Sequence, residues 1–149
     1  ASWGPAHDEL LAAYERDGEE HAWALLAALA LRRGGDARAA TAELQELLPR
    51  LDRDSWYWDV ARCLLEPSAD FALVARIERE RNRPLRARML YYLAEVSALA
   101  GRRAAAQTYL FEVKDTGAAD DPETRLARWE LAGLGVSPCA TGVNRRRLA

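Results

Sequence analysis

Lysine is nearly missing from this chain. Lys114 is the only one, and arginine supplies the rest of the 21 basic residues. GC-rich coding produces that bias, so it carries no functional weight. Cysteine is almost as scarce: Cys63 lies in a helical segment and Cys139 in a polar tail. Two thiols so placed offer neither a disulfide framework nor metal-ligand spacing, and a small buried residue and an incidental one are expected. The two histidines, His7 and His21, are isolated from each other and from any Cys or carboxylate cluster, so no metal site is expected. No P-loop or G-x-G-x-x-G occurs, and none of the serines sits in G-x-S-x-G, so neither a cofactor nor catalysis is expected. Long apolar runs are absent too. The longest, Ala22 to Leu31, is about ten residues, well short of the roughly 18 that span a membrane. The net charge of −2 leaves no general attraction to nucleic acid. Ala1 stands where an initiator methionine would, which points to a processed or trimmed start and leaves the compartment open.

Ala, Leu, Arg and Glu dominate what is present, and no segment alternates apolar and polar residues over strand length. The spacing predicts an all-α chain of eight helices, over 5–16, 20–33, 36–49, 55–65, 69–81, 85–100, 102–114 and 122–134. Gly18, Gly34–Gly35, Pro67–Ser68, Pro84, Gly101 and Gly117 separate them, and Asp36, Asp54 and Asp121 are placed to cap helix starts. Connections this short make neighbouring helices antiparallel.

A step of about 33 residues then emerges. It carries Ala28 to Ala61, Ala94 and Ala127, and Ala40 to Leu73 and Ala106. Large apolar residues keep the same step at Leu44, Ile77 and Leu110. Helices packing at about 8–10 Å need a small side chain where they cross, which is the expected role of Ala28 with Ala40 and Ala94 with Ala106.

The Leu-Ala pairs at Leu93–Ala94 and Leu126–Ala127, with the Gly-Asp-x-x-x-Ala turn at Gly35–Ala40, resemble the tetratricopeptide repeat. The resemblance covers about residues 5–135 and implies a right-handed α-α superhelix, a TPR-like solenoid, over 1–135. A flexible basic tail over 136–149, with Arg145–Arg147, follows. It also implies a non-catalytic scaffold that binds a protein or peptide segment in a concave groove. Carried over residue by residue, the groove contains Leu25, Leu29, Arg32, Trp58, Arg62, Leu65, Arg88, Tyr91, Glu95, Thr124, Arg128 and Leu131. Trp58, Tyr91 and the arginines Arg62, Arg88 and Arg128 are the residue types that dominate binding energy, although both aromatics suit the core as well. Family members that grip a C-terminal carboxylate use a Lys/Asn set. Here those places hold Leu25, Leu29, Asp59, Arg88 and Tyr92, so that role is not expected.

Two other functions stay open. The final helix lacks a mate, which is compatible with self-assembly into a homo-oligomer or a regulatory contact. The run RIERERNRPLRAR, Arg76 to Arg88, is either a patch for an acidic ligand or nucleic acid, or a solvated helix end. The overall charge balance favours the solvated helix end.

Overall fold

The computed structural model describes residues 3–16 and 20–133. The expected breaker at Gly18, Cys139 and the basic tail over 136–149 lie outside the described residues. Within them the chain is all-α: eight helices, two short 3-10 turns and no strand. The helices are α1 (Trp3–Arg16), α2 (Ala22–Arg33), α3 (Ala37–Leu47), α4 (Trp56–Leu65), α5 (Phe71–Arg79), α6 (Arg83–Leu99), α7 (Arg103–Thr116) and α8 (Pro122–Gly133). They group into two compact units, Ala1–Leu73 and Val74–Ala149. The division falls inside α5, so the middle hairpin expected from the sequence is shared between the two units.

In the first unit α2 is apolar on nearly every side, and a helix of that kind must be surrounded. It packs against α1, α3 and α4, and Ala22 and Ala24 through Ala30 are all buried. α2 stops at Gly34–Gly35 in a Schellman turn: the Gly35 N–H donates to Arg32 O and the Asp36 N–H to Leu31 O. Gly35 takes φ +93°, a left-handed conformation that strains any residue with a Cβ. The Asp36 carboxylate then accepts the Ala39 N–H at 3.0 Å and starts α3.

The second unit repeats this turn. Gly101 takes φ +83°, its N–H donates to Ala98 O, and the Arg102 N–H donates to Ser97 O. The central helix is again buried around most of its girth: α6 packs on α7 and α8, which also pack on each other. Unlike α2, α6 carries buried polar groups, among them Tyr91, Tyr92 and Glu95.

All six alanines on the 33-residue step are buried: Ala28, Ala40, Ala61, Ala94, Ala106 and Ala127. So are Leu44, Leu73, Ile77 and Leu110 on the same step. Helices α2, α4, α6 and α8 end at Arg33, Leu65, Leu99 and Gly133, close to the same spacing.

Three helix starts are built differently from the sequence reading. Ser55, not Asp54, caps α4, its hydroxyl accepting the Trp58 N–H at 3.4 Å. Asp52 instead takes the Asp54 N–H at 2.9 Å, and the shorter Ser55 side chain is left beside the first turn. Pro84 does not separate helices. Asn82 caps α6 by accepting the Leu85 N–H at 3.1 Å, and Pro84 sits in the first turn, where its missing N–H has no partner to lose. Pro67–Ala69 forms a 3-10 turn, which delays α5 to Phe71.

Candidate functional site

α3 does not end on a glycine. It tightens into the 3-10 turn Leu48–Arg50, and the chain reaches α4 through the buried Leu51 and the Asp52–Ser55 bend. This connection leaves an open cleft of about 390 Å³ in the first unit. Leu48, Pro49 and Leu51 supply its apolar lining, and Gln45, Arg53, Trp58 and Arg62 its polar and aromatic lining.

The half-buried Trp58 ring has two guanidiniums against it. Arg53 Cζ lies 5.7 Å and Arg62 Cζ 5.5 Å from the ring centroid, both within cation–π range. Arg62, whose side chain is 45% exposed, reaches Glu66 only at 3.9 Å. Arg53 is exposed and makes no ion pair among the described residues. Two of the residues expected in the groove, Trp58 and Arg62, line this cleft together. Arg53 and Gln45 do not follow from the sequence reading, because carrying over only first-helix positions passes over the connection between helices. The cationic spacing either side of Trp58, at Arg53 and Arg62, is the signal that would have found Arg53, and nothing in the sequence marks Gln45.

The groove residues expected on α6 turn inward instead. Tyr91 and Glu95 are each 1% exposed, so neither lines an open surface. Arg88 forms a two-pronged ion pair with Glu123 on α8, Nε to Oε2 at 3.0 Å and Nη2 to Oε1 at 3.2 Å. The Tyr92 hydroxyl donates to the same Oε1 at 2.8 Å, and the Tyr91 hydroxyl donates to Glu130 at 2.9 Å. The two tyrosine rings meet edge to face. Burial pushes the Glu123 carboxyl above the ordinary range, and the hydrogen bonds and charge of Arg88 pull it part of the way back. Burial also raises the Tyr92 hydroxyl, with the Glu123 charge adding to the effect. This arrangement is a buried brace between α6 and α8, not a surface for a partner. Arg88 and Tyr91 leave the groove set for that reason, and Glu95 because it is buried.

Among the other expected groove positions, Leu25, Leu29, Thr124 and Leu131 are core residues. Arg32 donates to Thr41 Oγ1 at 3.4 Å, and Arg128 is exposed on α8.

The Arg76–Arg88 run is divided in the same way. Arg86 pairs with Glu112 and Arg88 with Glu123, which leaves Arg79, Arg81 and Arg83 exposed around the start of α6. His7 is also more engaged than the sequence suggests. Its ring nitrogens lie 2.6 Å from Glu43 Oε1 on α3 and 3.0 Å from Asp8 Oδ1. Burial alone would lower its pKa, but the hydrogen bonds and charges of Glu43 and Asp8 outweigh that and raise it above 6.5. The Cys63 thiol points to Ala69 O at 3.4 Å, and burial, with Asp70 and Asp59 nearby, pushes it up to about 12. No three His, Cys, Asp or Glu residues converge to hold a metal among the described residues.

No protein-family model, curated protein or solved structure matches this chain. Among the described residues no helix is long and apolar enough to cross a membrane.

Proposed function

We propose that this chain is a non-catalytic helical-repeat module that binds a peptide or protein segment, with the Trp58 cleft as its principal contact. The observation that carries the proposal is the cleft itself: a half-exposed indole with two guanidiniums against its ring, beside an apolar floor. Trp and Arg in a partly desolvated depression are the pairing that concentrates binding energy in interfaces. The Schellman turns shared by the α2–α3 and α6–α7 hairpins, and the 33-residue step, support the resemblance to tetratricopeptide repeats. A right-handed α-α superhelix built from those hairpins belongs to the same proposal.

The test is capture of a defined partner, identified by cross-linking, by the native chain and two variants. Trp58→Ala should weaken binding by about 2 kcal/mol, roughly 30-fold in Kd. Arg62→Glu should weaken it further at low salt. Far-UV circular dichroism should stay unchanged in both. Equal capture by all three proteins would remove the cleft from the interface.

Self-association is a second reading, favoured by the 56% exposure of Trp129 on α8 and the 75% exposure of Phe71 at the start of α5. A constant monomer mass across a concentration series would discard it.

A further inference from the structure

The Trp58 cleft has an unusual imbalance of hydrogen-bonding groups, and we infer from it that the segment it takes is acidic: one or two carboxylates against Arg53 and Arg62, with an adjacent apolar side chain on Leu48 and Pro49. This inference rests on the peptide-binding reading above and adds the chemistry of the ligand.

Every charged side chain in the lining is a cation. Arg53 makes no ion pair among the described residues. The single ion pair of Arg62 among the described residues is long and exposed on both sides, so it is worth little and yields readily to a better-placed anion. The Trp58 indole N–H makes no hydrogen bond among the described residues, and Gln45 has an exposed side-chain amide. The cleft thus offers donors on several sides and has only the Gln45 carbonyl as a side-chain acceptor. Guanidiniums held against an aromatic face are weakly hydrated and present a planar fork, which a carboxylate matches with two parallel bonds. The floor calls for an apolar group next to that carboxylate. A volume of about 390 Å³ holds a few side chains, not a folded domain.

The same region argues against a nucleic-acid strand. A polyphosphate is held by neutralising charges in succession along a track. Here the cations are interrupted in the sequence by exposed carboxylates: Glu46 beside Gln45, Asp52 and Asp54 either side of Arg53, and Glu66 one turn after Arg62. With carboxylates this frequent along the chain, the region provides no unbroken cationic run for a strand, whereas a sparse acidic peptide needs none. A long run of glutamates would be repelled for the same reason. The site is also separate from the places corresponding to a carboxylate grip in tetratricopeptide repeats, since Leu25 and Leu29 are buried and Arg88 is committed to Glu123.

The probe is an array of octapeptides in matched pairs, each acidic member paired with a twin carrying Gln for Glu and Asn for Asp. Hits are re-measured in solution by fluorescence anisotropy with the full chain. The expected result is that acidic members bind and their amide twins bind about tenfold more weakly or less, with the gap narrowing as salt rises. In the Arg53→Gln/Arg62→Gln chain the gap closes, while circular dichroism and thermal midpoint stay at native values. Amide twins that bind as well as their acidic partners would overturn the acidic preference and leave the peptide-binding reading standing. Failure of every peptide to bind would overturn both, as would binding of a single-stranded RNA oligonucleotide alone.

Discussion

Gly117 occupies a place that no side chain can share. Its φ of −76° is ordinary, so the constraint is space: an added Cβ would lie 2.1 Å from Thr124 Oγ1 and 2.7 Å from Val113 O. Thr124 is fully buried on α8 and Val113 O is backbone, so neither can retreat cheaply. Gly35 presents the opposite case, with a strained φ and nothing within 4 Å of the added carbon. The two glycines look alike in the sequence, as breaks between helices, and differ only in what surrounds them. Substitution by Ala should separate them. Gly35→Ala should cost about 1 kcal/mol by urea unfolding, from backbone strain alone. Gly117→Ala should cost about 1–3 kcal/mol, since the α7–α8 connection must shift to make room.

At the scale of elements, two polar contacts tie helices together, and they respond differently to change. The Arg88–Glu123–Tyr92 brace joins α6 to α8 out of water, where losing one partner leaves the other charge uncompensated. Glu123→Gln should therefore destabilise the second unit by about 3 kcal/mol. Tyr92→Phe, which removes one bond to a charged acceptor, should cost about 1.5 kcal/mol. The His7–Glu43 contact joins α1 to α3 and depends on pH. Because the folded state holds the His7 proton more tightly than the unfolded chain does, its contribution is complete below about 6.5, the unfolded value. It is lost as pH rises through the higher folded value. A stability profile from pH 5.5 to 8.5 should fall more steeply for the native chain than for His7→Leu, and parallel curves would remove His7 from the account. Neither contact could be read from the sequence. Glu123 and Glu43 lie on other helices, far along the chain, and nothing near Arg88 or His7 announces them. The helices themselves were legible, because glycines, capping residues and apolar spacing act within a few positions of where they are written.

For the molecule as a whole, two compact units each surround a central helix: α2 in Ala1–Leu73 and α6 in Val74–Ala149. Hydrogen exchange should reflect this organisation. Glu123→Gln should lower protection across α6, α7 and α8, and His7→Leu should lower it across α1, α2 and α3. Loss of protection by Glu123→Gln spread evenly from α1 to α8 would contradict the division. The candidate site was legible in part. Trp58 and Arg62 lie on helix positions that the resemblance singled out, whereas Arg53 and Gln45 join the cleft lining through how α3 tightens and the chain bends before α4. The matching turns at Gly35 and Gly101 carry a last consequence. At both positions the backbone adopts the handedness natural to a D-amino acid, so mirror-image alanine would fit there with less strain than its ordinary form, and would also narrow the freedom of the unfolded chain.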